Sequence, residues 1–228
     1  MKKIGIVLGC LFVLTSCVNE TQVNNPAFQA KFNDTEWKAK NFSVSIGING
    51  GLVFTALRGN EQLVIETSSK NPGTYILGTS NQNNYASYTV INGPSLDEYA
   101  TSIYPGPVFR TRKLTPGNNY VNSNSALATG GSGSGLVLKI TVDNIGGVAT
   151  DSIKARGTDY KAGDIITLEG GNNNATFSVM NVQQSNGEVV IESIDNNTFT
   201  GTFKINMVDG LGRVVTFSQG IFYKIPLQ

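Results

Sequence analysis

The sequence predicts an all-β protein, an antiparallel β-sandwich or barrel-like domain that carries a small inserted β module. Three observations predict it. Apolar and polar residues alternate in short runs, the pattern of half-buried strands. Gly, Asn and Pro punctuate those runs where turns belong. No amphipathic helical stripe of useful length follows the first seventeen residues. Many short strands joined by tight turns favour sandwiches and barrels over layered α/β folds.

The runs justify this in chain order. Phe28–Phe32, Lys40–Ile46, Leu52–Leu57 and Gln62–Thr67 alternate with period two. Asn49-Gly50-Gly51 and Arg58-Gly59-Asn60-Glu61 sit between successive runs as hairpin turns. Asn71-Pro72-Gly73 breaks the chain before Tyr75. Leu136–Val142, Glu188–Glu192, Thr198–Val208 and Arg213–Tyr223 continue the pattern. Asn186-Gly187 opens the third-last run, and Asp209-Gly210-Leu211-Gly212 links the last two.

The texture changes between them. Residues 93–128 read as an irregular loop segment rich in Pro and Asn, and Thr129–Gly135 (TGGSGSG) reads as flexible on composition. Strand-like runs then resume in a different vocabulary. The reading is a domain built from 27–92 plus 186–228, interrupted by an inserted β module at 129–185. A single larger β domain with a long loop is the alternative.

The N-terminus carries an address. Lys2 and Lys3 precede an apolar run over Ile4–Leu14, too short to span a bilayer. Leu14-Thr15-Ser16-Cys17 follows and resembles the bacterial lipobox. That resemblance implies cleavage between Ser16 and Cys17 and lipid on Cys17, so residues 1–16 are a lipoprotein signal peptide. Residues 17–26 are then a lipidated tether, polar and without periodicity. More than one acyl chain makes such an anchor stable. Val18 stands where an inner-membrane retention aspartate would, so the expected location is the outer membrane, on its periplasmic or surface face.

Composition removes whole function classes. The net charge is +1 over the full chain and −1 once Lys2 and Lys3 leave with the signal. Nothing in that balance attracts nucleic acid. Cys10 leaves with the signal and Cys17 carries lipid, so the mature chain has no disulfide and no thiol nucleophile. Histidine is absent, which excludes Ser-His-Asp and Cys-His catalysis and His-based zinc sites. No cofactor or metal is expected, and a non-enzyme is the reading.

Two stretches carry resemblances. Phe28-Gln-Ala-Lys-Phe-Asn-Asp-Thr-Glu-Trp37-Lys-Ala, then Gly73-Thr74-Tyr75, Thr200-Gly201-Thr202-Phe203 and Gly220-Ile221-Phe222 resemble a domain of unknown function found in lipoproteins of Flavobacteriia and their relatives. The likeness covers about 27–92 and 186–228. It implies an extracytoplasmic β-sandwich-like domain and no activity. Gly130-Gly-Ser-Gly-Ser-Gly-Leu136 with Gly157-Thr-Asp-Tyr160, Gly163-Asp164 and Gly170-Gly171 resembles a repeat unit of phage, viral and bacterial surface proteins. It implies a small β module used for structure or display.

The candidate site residues are few. Tyr85, Tyr88, Tyr99, Tyr104 and Tyr120 cluster around the irregular segment, and exposed tyrosines among asparagines suit glycan or protein recognition. Trp37, the one tryptophan, is expected in the core rather than stacked on a sugar. Arg110, Arg112 and Lys113 form a small basic group, expected to be solvated. Asp143, Asp151, Asp159, Asp164 and Asp209 lie near Gly or Asn without calcium-loop spacing. Asp151-Ser152-Ile153 resembles the O-glycosylation pattern of Bacteroidota, with Ser152 as acceptor. The functional expectation is a lipid-anchored binding module whose partner is a glycan or an envelope protein. A structural accessory of an envelope complex and a carboxylate-based glycan hydrolase are the alternatives.

Overall fold

The structure, a computed structural model, describes residues 26–183 and 185–228. Seventeen strands and no helix make up the described residues. In chain order they are β1 (Ala27–Phe32), β2 (Thr35–Lys38), β3 (Asn41–Ile46), β4 (Leu52–Arg58), β5 (Glu61–Glu66), β6 (Gly73–Leu77), β7 (Tyr85–Asn92), β8 (Ser95–Ala100) and β9 (Val108–Thr115). There follow β10 (Ser123–Thr129), β11 (Ser134–Val142), β12 (Val148–Thr158), β13 (Ile165–Leu168), β14 (Thr176–Val182), β15 (Asn186–Asp195), β16 (Thr198–Val208) and β17 (Val214–Pro226). Every ladder between strands is antiparallel, and the fold is all-β as the alternation predicts.

Two sheets form. The first has eleven strands in the order β2-β1-β17-β16-β8-β7-β5-β4-β3, with β15 and then β6 branching from β16. Its strands come from both ends of the chain, so β7 and β15 share a sheet. It curls far enough that Leu227 bridges back to Val44 of β3, and the Gln228 N–H donates to the Val44 carbonyl at 2.9 Å. Hairpin turns set its register. Gly59 at φ 61° begins the two-residue β4–β5 turn. Asn33-Asp34 and Asn196-Asn197 hold positive φ at both residues, the type I′ geometry that matches strand twist.

The first core lies inside this curl. Phe28, Trp37, Phe54, Phe217 and Phe222 are all fully buried in it. Two glycines explain how so many rings fit. In the β16–β17 ladder Gly201 pairs with Phe222, and Phe203 pairs with Gly220. Each ring lies across the bare backbone of the opposite glycine. A Cβ on Gly220 would come within 2.5 Å of the Phe203 ring, and one on Gly201 within 2.5 Å of the Phe222 ring. Phe28 then packs on both, 5.2 Å from Phe203 and 6.3 Å from Phe222 between ring centroids. Covering a strand glycine with a cross-strand aromatic in this way restores the contacts the glycine lacks. β17 also bulges at Gln219 and Lys224, non-glycine residues at φ 50° and 49°, which bends the sheet.

The second sheet takes all its strands from between Val108 and Val182, in the order β12-β11-β10-β13-β14-β9. Here two sequence expectations are corrected. Residues 93–128 are not an irregular loop: they hold β8, β9 and β10. Their prolines fall between strands, at 94, 105, 107 and 116, where the missing N–H costs no ladder bond. The second sheet therefore begins at Val108 and not near 129. The glycine-rich stretch is also built into the fold. Gly133 passes under the buried Tyr160 ring, where a Cβ would come within 2.5 Å, and Ser132 bonds the Asp164 carboxylate through its N–H (3.0 Å) and hydroxyl (2.6 Å).

This second unit is two copies of one pattern. Gly117-Asn118-Asn119-Tyr120 and Gly157-Thr158-Asp159-Tyr160 lie forty residues apart, as do Gly130-Gly131 and Gly170-Gly171. The backbone repeats with them: φ is 63° at both Gly117 and Gly157, 60° and 64° at Asn119 and Asp159, 88° and 102° at Gly130 and Gly170. The strand order reads the same from either end when β9, β10 and β11 are exchanged for β12, β13 and β14. An approximate two-fold axis passes between Ala128 and Leu168, which pair directly. The copies trade contacts across it. Tyr120 lies between Gly117 of its own copy and Gly171 of the other, while Tyr160 lies between Gly157 and Gly133.

A buried polar joint connects the two units. Asn181 donates its side-chain amide to the Gly78 carbonyl. The Ser102 N–H donates to the Ser185 hydroxyl at 2.7 Å; Asn181 lies in β14, Ser185 between β14 and β15, Ser102 after β8 and Gly78 in the turn after β6. Gly78 has φ 72° and no room for a Cβ beside the Ser185 backbone.

Candidate binding groove

The side of the first sheet that faces away from its core carries an open groove of about 910 Å³. Alternation places its residues. Phe28 and Ala30 of β1 point into the core, so Gln29 and Lys31 point out. The ladder then lines up two rows across five strands. One runs Lys38, Gln29, Ile221, Thr202, Val190, each paired with the next. The other has Glu36 opposite Lys31 on one side and Lys204 opposite Glu188 on the other. The bend at the Gln219 bulge hollows the sheet between them, and Gly220, without a side chain, forms part of the floor.

The groove is apolar along its floor, at Ile221 and Val190, and polar along its walls. Lys204 and Glu188 form an ion pair at 2.9 Å. Cations and carboxylates alternate, so the groove has no strong field of either sign. Glu36 and Glu188 are its two carboxylates. They stand on β2 and β15, four strand spacings apart, about 19 Å along the sheet at the usual inter-strand distance.

Trp37 closes the inner side of the groove wall and belongs to the core, with no exposed surface. Its indole N–H donates to Glu61 at 2.6 Å, and Glu61 also takes both arms of Arg58, at 2.9 and 2.8 Å. The Arg58 guanidinium lies 5.5 Å from the Trp37 ring centre. Burial works against the Glu61 charge, but the bonds from Arg58, Trp37 and Tyr88 outweigh it and hold the carboxyl below its usual range. Burial and the neighbouring Glu61 carboxylate raise the Tyr88 hydroxyl far above a free phenol.

The five tyrosines do not converge. Tyr88 is in the first core and Tyr120 in the second, so neither presents a recognition surface. The Tyr120 hydroxyl donates to the Leu168 carbonyl (2.9 Å) and accepts from the N–H groups of Asn174 and Ala175 (both 3.0 Å). Tyr99 is paired with Tyr88 and packs on the first core, with Arg213 over its ring at 5.7 Å. Tyr85 and Tyr104 are half-exposed neighbours, and burial and then the nearby Glu98 charge raise both hydroxyls. Tyrosine in a β protein fills cores as readily as surfaces, and its spacing along the chain does not distinguish the two.

The remaining candidates resolve individually. Ser152 is exposed on β12, opposite Lys139. Ser16 and Cys17 lie outside the described residues. Arg110, Arg112 and Lys113 are on a strand, β9, not on a loop. Asp143, Asp164 and Asp209 each take backbone N–H groups of their own turn, at Gly147 (2.8 Å), Lys161 (2.8 Å) and Arg213 (2.7 Å). Among the described residues no cluster of three or more His, Cys, Asp or Glu is placed to hold a metal. No helix among them is long and apolar enough to cross a membrane.

Fold and groove together define an all-β antiparallel protein of two units. The chain belongs to a family described as a domain of unknown function (DUF6252), which matches residues 24–137 and 118–226. No curated protein matches the chain, and no solved structure does.

Proposed function

We propose that this chain is a non-catalytic, lipid-anchored envelope protein of the outer membrane that binds a partner in the groove over β1, β15, β16 and β17. It fits among the lipoproteins of Flavobacteriia and their relatives. The Leu14-Thr15-Ser16-Cys17 motif behind a charged and apolar leader supports the anchor. The observation that carries the binding role is the groove, with an apolar floor, paired polar walls and a base of five hydrogen-bonded strands. An amphipathic groove of this kind suits an extended peptide segment or a loop of an envelope protein. It offers no exposed aromatic platform for a sugar ring. The wide separation of Glu36 and Glu188 speaks against glycoside hydrolysis, which needs carboxylates within about 10 Å.

Three measurements test this. Mass spectrometry of the N-terminal peptide should find Cys17 acylated, and Cys17→Ala should release the protein from the membrane fraction. Protease shaving of intact cells, with a periplasmic marker, assigns the face. A photo-crosslinker at Thr202 or Ile221 should trap a discrete partner that one at Leu96, on β8, does not. Equal labelling at all three positions would sink the groove reading.

A further inference from the structure

The two copies in the second unit supply an internal comparison for reading its surface, because a charge carried by one copy alone is not part of the shared pattern. Val108 and Val148 recur, both buried, as do the tyrosines and their glycines. The seam where β9 and β12 face each other without a backbone ladder is also built reciprocally. Lys113 of β9 donates to the carbonyls of Val148 and Ala149 (2.7 and 2.9 Å). Arg156 of β12 donates to those of Val108 and Phe109 (2.8 and 3.2 Å), the same two positions forty residues earlier. Thr111 and Asp151, equivalent residues, meet at 3.1 Å.

Four exposed cations have no such structural duty. Arg110 and Arg112 correspond to Thr150 and Ser152, Lys139 to Ser178 and Lys154 to Leu114. The shared pattern therefore does not call for a cation at these positions. None of the four makes a salt bridge among the described residues, and the only carboxylate on β9, β11 or β12 is Asp151, already bonded to Thr111. With Lys113 and Arg156 they make six cations on three neighbouring strands. Phe109 and Leu114, on β9, add exposed apolar surface, at 36% and 43%. The charge is segregated: residues 107–183 hold seven Lys/Arg against five Asp/Glu, whereas 26–106 with 185–228 hold eight against ten.

We propose that this β9–β12 face docks on an anionic, phosphate-bearing lipid surface. A broad cationic face without a cavity fits a flat array of charges better than a single ion. The apolar fringe fits an interface where side chains can reach the acyl boundary. The proposal rests on the charge distribution and not on the lipid anchor.

The test uses the chain from Val18 onward, which keeps every strand and lacks Cys17, with vesicles of phosphatidylglycerol mixed into phosphatidylcholine. At low salt the protein should co-sediment with these vesicles, not with pure phosphatidylcholine, and be released as salt rises. Each cation near the surface is worth about fivefold in binding, so R110Q/R112Q/K154Q should weaken it by about a hundredfold. A charge-matched control, K40Q/K70Q/K224Q, should leave it unchanged. Circular dichroism and melting of both variants check that they fold. Absence of binding at low salt, or equal loss in the two variants, overturns the proposal. So does preference for a soluble acidic polysaccharide over vesicles at equal charge concentration.

Discussion

Gly220→Ala isolates the ring-over-glycine arrangement at the centre of the first core. Gly220 is extended, so alanine meets no backbone penalty there, and the unfolded-state effect of the change alone would stabilise by about 0.4–1 kcal/mol. Against this stands the new methyl, placed 2.5–2.6 Å from three atoms of the buried Phe203 ring. Phe203 cannot swing outward without uncovering Phe28, 5.2 Å away. Overpacking of this kind costs about 1–3 kcal/mol, so at mid-range values the net loss is about 1 kcal/mol and the melting temperature is lower by about 2–4 °C. Urea denaturation followed by Trp37 fluorescence reads it directly, because Trp37 is in the same core. Phe203→Leu should relieve part of the cost, giving a coupling of about 0.5–2 kcal/mol in a double-mutant cycle. Gly210→Ala is the control: its methyl would sit 3.6 Å from Tyr104, an ordinary contact, so it should be neutral or slightly stabilising. A neutral Gly220→Ala, or strict additivity with Phe203→Leu, would refute the packing argument.

Further outcomes are expected elsewhere in the molecule. Tyr120→Phe removes the acceptor for two backbone N–H groups and should destabilise the second unit by about 1–3 kcal/mol, with faster hydrogen exchange at Asn174 and Ala175. Asp209 is buried in its turn. Desolvation opposes its charge, but bonds from Arg213 and two backbone N–H groups prevail and lower its pKa. Its contribution is therefore present above about pH 4 and lost as pH falls through the lower folded-state value. The stability gap between wild type and Asp209→Ala, measured by urea titration, should close below that pH. Trp37 emission should be shifted to short wavelength in the native protein and remain so on Gly171→Ala, which crowds Tyr120 in the other core, even as that core loosens.

Much of the first unit was legible because its strands are local hairpins. Alternation at Leu52–Leu57 and the turn at Gly59-Asn60 specify register between neighbours, and the structure keeps both. The likeness carried by Thr200–Phe203 and Gly220–Phe222 acquires a physical cause, since each glycine is the seat of the other strand's phenylalanine. The groove was not legible. It depends on β15, β16, β17, β1 and β2 lying side by side and on a bulge at Gln219, and neither non-local order nor curvature shows in a period-two pattern. The tyrosines misled for a related reason: a run of Tyr and Asn gives no sign of which face is covered. The forty-residue repeat could have been found by comparing the chain with itself, since Gly-x-x-Tyr and Gly-Gly recur in register. Its strands β9 and β10 lie in the stretch where proline and asparagine suggested loop.

The approximate two-fold in the second unit bears on how such a barrel comes into being. Half of it, one run of three strands, leaves its tyrosine without the glycines and backbone groups that the other half supplies. Two identical halves would satisfy each other as an isologous dimer, with the axis still between the positions of Ala128 and Leu168. Joining them through the Asp143–Gly147 turn converts that encounter into closure of a short loop. Assembly then no longer depends on concentration, and each half is free to change its exterior alone. Arg110 and Arg112 of β9, answered by Thr150 and Ser152 on β12, are what that freedom looks like in the present chain.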